Sequence, residues 1–174
     1  MNLPKYSRGF TLIEIIVVVS IIAIISGGII PSFFGYVENQ NLKQAKEQLK
    51  SDLRTVQNRA LTGALSDYVF DVGGAKEPAG YWAVCFENDS GAYSASITSR
   101  NSGCPPFPSS NQATYNLPND IKYYGASKLC LYFSIKNGDI NKSPSLAADC
   151  IEIKTSSSSS TSERVCFNSA GLIF

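Results

Sequence analysis

The stretch Phe10–Ile30 reads FTLIEIIVVVSIIAIISGGII and contains a single charged residue, Glu14. A run of about 20 apolar residues is long enough to cross a bilayer as an α-helix. The preceding residues 1–9 carry two basic side chains and no acidic one, and flanking positive charge stays on the cytoplasmic side. The sequence therefore predicts a membrane helix over residues 10–31, with the residues that follow it outside the inner membrane.

Two other interpretations of this segment stay open. An ordinary secretory signal peptide also has a basic start, but its apolar region covers only about 7–15 residues. The run seen here is longer and carries a carboxylate near its start. A simple single-pass anchor is the other interpretation, with Glu14 reaching toward the membrane surface. A mature N-terminus near residue 30 would indicate an exported enzyme or binding module, and an unprocessed Met1 would indicate an anchored receptor.

The junction Gly9–Glu14 reads GFTLIE and follows a short basic leader. It resembles the recognition site of bacterial type IV prepilins and pseudopilins, which have a glycine before the cut, a phenylalanine after it and an acid at the fifth mature position. The resemblance implies that a prepilin peptidase removes residues 1–9 by cutting after Gly9 and methylates the amine of Phe10. It also implies that Glu14 guides the subunit into a growing filament.

The position of Glu14 agrees with that implication on physical grounds. A carboxylate in the apolar zone costs roughly 2.5–3.5 kcal/mol on insertion scales, so it should have a cationic partner. Cleavage after Gly9 creates one, the α-amine of Phe10, and methylation keeps its charge. Pairing of Glu14 in one subunit with Phe10 of its neighbour would neutralise both charges and fix the axial register of a filament.

Gly27, Gly28 and Pro31 lie together at the outer end of the apolar run. In a helix interior Gly costs about 1 kcal/mol and Pro about 3 kcal/mol relative to Ala. These residues predict a helix break, either as the end of the membrane helix or as a point that melts when the anchor leaves the bilayer. A proline at this depth is also frequent in the proteins that GFTLIE resembles.

A second helical pattern follows over residues 32–63. Its apolar residues recur at spacings of three and four, which places them on one stripe of a helix, and most charged side chains lie on the other faces. Gly63 is a candidate for the residue that ends this helix. The first half of the long helix needs lipid or neighbouring helices, and the second half needs a domain to cover its stripe. The stripe consists of Leu42, Ala45, Leu49, Leu53, Val56 and Ala60.

Over residues 64–174 the pattern changes to short alternating runs separated by turn residues, which predicts an antiparallel sheet domain. Ser99–Asn119 contains four prolines and is predicted as a long loop. The fold class is therefore α+β, and the resemblance to pilins implies a lollipop in which the long helix packs on the sheet. The predicted strands are Tyr68–Val72, Tyr81–Phe86, Tyr93–Thr98, Ile121–Tyr124, Lys128–Ile135, Cys150–Thr155, Arg164–Asn168 and Leu172–Phe174.

The chain has five cysteines, and a domain outside the cytoplasm permits disulfides. In the last hairpin, pairing Cys150 with Cys166 places opposite charges across from each other and gathers apolar residues on one face. This pair is therefore the preferred disulfide. Cys85–Cys104 is a second candidate, because the proline-rich loop needs a tether. Cys130 is then left over, and other pairings stay open.

Composition excludes much chemistry, because the chain has no histidine and a net charge of only +1. Without histidine there is no Ser-His-Asp or Cys-His nucleophile and no His-ligated metal. The sequence contains no Cys-x-x-Cys pair, metal-spaced acid cluster or glycine-rich phosphate loop, so it predicts neither an enzyme nor a metal or cofactor site. Nucleic-acid binding is disfavoured, because the last hairpin offers only Lys154 and Arg164 for phosphate contacts.

Several kinds of subunit share the prepilin motif. Major pseudopilins of type II secretion typically carry an acidic calcium-binding loop where this chain has the serine run 156–160. The β-rich domain and its closing hairpin resemble minor pseudopilins of the GspH/FimT type. We therefore expect a minor, priming or tip subunit of a type IV pilus or a type II secretion pseudopilus. A major pilin and a competence pseudopilin for DNA uptake stay open as alternatives.

The resemblance also implies partners and a location. The partners would be prepilin peptidase, other pilin or pseudopilin subunits and an inner-membrane assembly platform. The chain would lie in the inner membrane with a cytoplasmic N-terminus and a periplasmic or extracellular domain. After assembly it would belong to a pilus or pseudopilus.

Overall fold

The chain forms two compact units, Met1–Glu38 and Asn39–Phe174. The second unit joins the amphipathic part of the helix to the sheets, because the buried stripe of the helix packs against them. The computed structural model describes residues 9–64, 67–72, 74–100, 113–118, 120–143, 149–156 and 161–174, and at positions 28–34 and 72 only the backbone.

Helix α1 spans Leu12–Leu61. It passes through Gly27, Gly28 and Pro31, so the predicted break at these residues is not observed. One proline removes one backbone hydrogen bond, and the flanking turns can continue on either side of it. Within the described ranges, no helix combines the length and the apolar character that a membrane span requires.

The helix ends at Leu61, and Gly63 follows as the predicted capping residue, with a φ of +66°. The N–H of Gly63 donates to the carbonyl of Ala60 at 3.1 Å, and the N–H of Ala64 donates to Arg59 at 3.0 Å. This pair of bonds is the Schellman arrangement, in which a left-handed residue closes the last turn and satisfies free carbonyls. Glycine suits this position because it has no Cβ to strain a positive φ.

Antiparallel sheets follow the helix, so the predicted α+β class is confirmed; the lollipop layout stays a prediction. The described strands are β1 Val69–Val72, β2 Ala75–Pro78, β3 Tyr81–Glu87, β4 Ala92–Thr98, β5 Ala113–Asn116, β6 Ile121–Tyr124, β7 Lys128–Ser134, β8 Ile140–Ser143, β9 Cys150–Thr155 and β10 Ser162–Cys166. Strands β1 and β2 form a hairpin, β10-β9-β6 form a second sheet, and β5-β4-β3-β7-β8 form a third.

Strand β5 lies inside the stretch that the sequence predicted as a loop, so that prediction is wrong for these four residues. The strand pairs with β4, and the ring of Tyr115 stacks on Tyr93 with centroids 5.4 Å apart. Its alternation is too short to stand out beside the prolines of the same stretch. Strands β2 and β8 were also missed, because their four residues are mostly polar or exposed and show no clear apolar alternation.

The core of the second unit forms where the helix stripe meets the sheets. All six stripe residues are buried, and they share one cluster with the inward faces of β3, β4, β7, β9 and β10. Leu129, Leu131 and Phe133 of β7 alternate along the strand and are fully buried in this cluster. Burial at roughly 25 cal/mol per Å² of apolar surface is the main force that holds this part of the helix on the domain.

The last hairpin has the predicted register. Cys150 lies opposite Cys166, and Glu152 lies opposite Arg164. A disulfide joins Cys150 to Cys166. The tight spacing of opposed residues in an antiparallel pair brings the two Cβ atoms within reach of each other.

The second disulfide differs from the prediction. Cys85 is bonded to Cys130, which the sequence interpretation left over. The reason is register, because β3 and β7 place Cys85 directly opposite Cys130. Periodicity alone did not show that β3 and β7 are neighbours, since β4, β5 and β6 intervene in the sequence. Cys104 lies outside the described residues.

Polar contacts fix the helix on the sheets as well. The phenol of Tyr93 donates to Asp52 at 2.5 Å, and burial together with this carboxylate raises the pKa of Tyr93. Arg54 donates to the carbonyl of Ile173 at 2.9 Å, and Gln57 donates to the carbonyl of Gly171 at 2.8 Å. The first bond ties the helix to β4, and the other two tie it to the segment that follows β10.

Gly171→Ala is expected to destabilise the domain by roughly 1–3 kcal/mol. Gly171 has a φ of +87°, and an added Cβ would lie 2.6 Å from Nε2 of Gln57 and 2.9 Å from the carbonyl oxygen of Gly138. The substitution therefore strains the backbone and pushes away the Gln57 side chain that bonds this segment. Thermal unfolding of the full chain in detergent micelles measures the effect.

Gly35→Ala is the matched control. Gly35 lies within α1, and an added Cβ meets no atom within 4 Å. Alanine is favoured over glycine in a helix interior by roughly 0.5–1 kcal/mol. An unchanged melting temperature in the Gly171 variant would show that the segment tolerates a side chain there and would contradict the strain argument.

Candidate functional site

The predicted cleavage junction lies just before the helix. Gly9 and Phe10 are exposed, and the helix begins two residues later at Leu12. An added Cβ at Gly9 meets no atom within 4 Å, so the local structure does not itself require glycine. The peptide bond between Gly9 and Phe10 joins two exposed residues, so within the described part of the chain it is accessible to an enzyme. The leader residues Met1–Arg8 lie outside the described residues.

Glu14 lies in the first turn of the helix and bonds to Thr11. One carboxylate oxygen, Oε2, accepts the backbone N–H of Thr11 at 2.9 Å and the hydroxyl of Thr11 at 2.8 Å. The N–H of Glu14 points back to Thr11 Oγ1 at 3.4 Å. This reciprocal arrangement is a capping box, in which Thr caps the helix and a Glu three residues later returns the bond.

Thr11 is the site residue that the sequence interpretation missed. The signal was present, because Thr-x-x-Glu before an apolar run is the sequence signature of a capping box. The same three-residue spacing therefore serves two purposes here. The spacing caps the first turn of the helix. It also places Glu14, the only acidic residue of the apolar run, beside the backbone at the start of the helix.

The capping box leaves Glu14 able to take another partner. Both bonds from Thr11 end on Oε2, and each oxygen of an ionised carboxylate can accept hydrogen bonds. Oε1 can therefore accept a bond from a cation outside the chain. Phe10 and Glu14 line one shallow groove of about 290 Å³ together with Ile13, Val17 and Val18. An amine created at Phe10 would arise next to the residue whose N–H already bonds the carboxylate.

The helix around this site is apolar on all sides, and its side chains are exposed in the part of the chain that the structure describes. The hydroxyl of Ser20 donates to the carbonyl of Ile16 at 2.7 Å, so its polar group is bonded within the helix. A segment of this kind is unfavourable in water and needs lipid or other helices around it. Relative exposures range from 50% to 84% for Phe10, Leu12, Ile13, Ile15, Ile16, Val17, Val18, Val19, Ile21, Ile22, Ile24 and Ile25.

Of the other predicted site residues, Gly27, Gly28 and Pro31 belong to the same helix. The four bonded cysteines belong to the second unit and take no part in this site. The predicted site is thus a local one, formed by Gly9, Phe10, Glu14 and the added Thr11.

Thr11→Val is expected to loosen the first turn of the helix. Valine has nearly the same shape but no hydroxyl, so one bond to Glu14 and the return bond to Thr11 Oγ1 are both lost. Loss of such a cap costs roughly 0.5–2 kcal/mol. Faster hydrogen exchange at the amides of Ile13 and Glu14 in micelles would measure it. Thr11→Ser keeps a hydroxyl and should exchange like the unmodified chain, so equal exchange in Val and Ser variants would refute the capping role.

Comparison with known proteins agrees with this geometry over the same residues. Residues 4–30 match the family model described as the prokaryotic N-terminal methylation motif. No curated protein and no solved structure matches the chain. The matched stretch contains the junction, the capping box and most of the exposed apolar helix. This match supports the identification of the chain as a type IV pilin-like protein.

Proposed function

We propose that this chain is a minor, priming or tip subunit of a type IV pilus or a type II secretion pseudopilus, with a structural and not a catalytic role. The observation that carries the proposal is Glu14. It is the single charged residue of the apolar run Phe10–Ile30, and it lies in the first turn of the helix beside a junction that matches a methylation motif.

The first step of the proposed mechanism is processing. A prepilin peptidase cuts after Gly9 and methylates the new amine of Phe10. The bond that breaks is exposed and precedes the helix, so cleavage requires no unfolding of α1. The product carries a cationic amine at Phe10, next to Thr11 and four residues before Glu14.

The second step is transfer from the membrane to a filament. We propose that residues 10–31 lie in the inner membrane before assembly, since a run of about 20 apolar residues is sufficient to span it. In the filament, helices of neighbouring subunits replace lipid around the same side chains. The inner-membrane assembly platform and the other pilin or pseudopilin subunits are the partners that this step requires.

In the second step, charge pairing between neighbouring subunits selects one axial register. Oε1 of Glu14 accepts a hydrogen bond from the methylated amine of Phe10 in the neighbouring subunit, while Oε2 keeps its hydrogen bonds from Thr11. The carboxylate and the amine each have a partner of opposite charge only when the two subunits lie in the correct axial register. A buried ion pair that loses one partner is destabilised by roughly 3–5 kcal/mol, so other registers are disfavoured.

The N-terminus of the mature protein tests this proposal. Intact-mass and peptide analysis of the chain from its native membranes or fibres should show that it begins with methylated Phe10. The same analysis after deletion of the peptidase should show the uncut chain. A mature start near residue 30 would instead indicate an ordinary signal peptide and would overturn the proposal.

A major pilin is the second candidate, and the disulfide Cys150–Cys166 is the observation that favours it. A closing disulfide loop is common in that group, whereas the serine run 156–160 does not provide the acidic loop typical of major pseudopilins. Copy number distinguishes the candidates. Quantitative mass spectrometry of sheared fibres should find this chain at a small fraction of the dominant subunit if it is a minor one.

A further inference from the structure

We propose that the disulfide Cys150–Cys166 is a redox-sensitive latch that holds residues 167–174 against the helix, while Cys85–Cys130 is a permanent structural bond. Residues 167–174 are called the closing segment below. The inference rests on the second unit alone and does not depend on the proposed function.

The closing segment is part of the core. Phe167 and Ile173 are buried among the helix stripe and the sheet residues, at 3% and 6% exposure. Arg54 and Gln57 of the helix donate to the carbonyls of Ile173 and Gly171. If the segment moved away, the guanidinium and the carboxamide would lose these acceptors, and apolar core surface would meet water.

Cys166 is the residue through which the latch acts. Its N–H donates to the carbonyl of Phe174 at 2.9 Å, and its carbonyl accepts the N–H of Phe174 at 2.8 Å. The N–H of Phe167 donates to the carbonyl of Asp149 at 2.8 Å. Because the disulfide ties Cys166 to the first residue of β9, it fixes in place the backbone groups with which Phe174 of the closing segment pairs. Without the bond, β10 and the closing segment can open together.

The two disulfides differ in access. Cys85 and Cys130 are 2% and 0% exposed, whereas Cys150 and Cys166 are half-buried near the end of the β9–β10 pair. Thiol–disulfide exchange requires a thiolate to reach one sulfur, so access controls which bond reacts. A dithiol in solution can therefore attack the hairpin bond while the β3–β7 bond is protected.

The exchange reaction is balanced with a dithiol as reductant. Its first thiolate attacks one sulfur of Cys150–Cys166, which forms a mixed disulfide and releases the other cysteine as a thiolate. The second thiol of the reductant then displaces the remaining cysteine and closes a disulfide in the reductant. Two electrons and two protons pass to Cys150 and Cys166, and the β9–β10 ladder loses its covalent link.

Titration of the full chain with dithiothreitol in detergent micelles tests the latch. Thiols that are already free are blocked first, and newly formed thiols are then alkylated and located by peptide mass spectrometry. Cys150 and Cys166 should become alkylated at reductant concentrations that leave Cys85 and Cys130 intact. In that selectively reduced state, amide exchange over residues 162–174 should accelerate roughly 100-fold, as expected from loss of a cross-link over a loop of about 15 residues.

A variant distinguishes release of the latch from general damage. Cys150→Ser with Cys166→Ser should show the fast exchange over residues 162–174 without reductant and should not respond further to low concentrations of it. Amides of β3 and β7 should stay protected in both forms. Reduction of Cys85–Cys130 first or at the same concentration would overturn the proposal. So would selective reduction of Cys150–Cys166 in the unmodified chain with unchanged exchange over the closing segment.

Discussion

Glu14→Gln should abolish fibre formation while leaving processing and membrane insertion intact. Glutamine keeps the length of the side chain and an oxygen that accepts the bonds from Thr11, so the capping box is retained. Only the charge is lost, and the methylated amine of Phe10 in the neighbouring subunit is then buried without its counter-charge. The expected loss of roughly 3–5 kcal/mol per contact corresponds to a drop in assembly of roughly 100-fold or more.

The measurement compares sheared fibres with membranes of the same cells. The variant should accumulate in the membrane with a methylated Phe10 and be missing from the fibre fraction, and Glu14→Leu and Glu14→Ala should behave in the same way. Ser20→Ala is the matched control, because its hydroxyl is bonded within its own helix to Ile16 and has no charge to pair. Normal fibre yield from the Glu14 variants would overturn the proposed pairing between subunits.

Comparison of Thr11→Val with Glu14→Gln separates the effect of the helix cap on assembly from the effect of the charge. The valine variant weakens the first helical turn but keeps the carboxylate, and the glutamine variant does the reverse. If charge pairing drives assembly, the valine variant should form more fibres than the glutamine variant. The opposite order would indicate that the local fold of the first turn, and not the charge of Glu14, limits assembly.

Sequence patterns predicted those parts of the fold that depend on local periodicity. The stripe from Leu42 to Ala60 recurs at the helical period, and the turn at Gly63 needs a left-handed residue, so both could be predicted from neighbouring residues alone. The β9–β10 register was predictable for a related reason. Its strands are joined by one short connection, and opposite charges at Glu152 and Arg164 fix their alignment.

The missed features depend on contacts between residues that are distant in the sequence. Cys85 pairs with Cys130 because β3 and β7 are neighbours in the sheet, and their 45-residue separation gives no local signal of it. Strand β5 forms because it completes the edge of β4. At the candidate site, by contrast, the capping role of Thr11 was readable from the sequence, since it depends on residues only three positions apart.

Leu53→Ala should have the largest effect on the stability of the second unit. Leu53 lies at the middle of the buried stripe with 0% exposure, in the cluster that joins the helix to the sheets. Truncation removes buried methyl groups and leaves a cavity that rigid strands on the other side cannot fill. The expected cost is roughly 2–5 kcal/mol, or a melting temperature lower by roughly 5–20 °C.

Trp82 provides the measurement for this variant, because its ring is 4% exposed and its Nε1 donates to the carbonyl of Ala64 at 3.0 Å. Unfolding should shift its fluorescence as the ring meets water. Gln44→Ala is the control, since Gln44 lies exposed on the same helix and surface substitutions usually change stability by less than about 0.5 kcal/mol. If both variants melted at the same temperature, the helix from Asn39 onward would not be held by its stripe. The domain would then be stable without this contact.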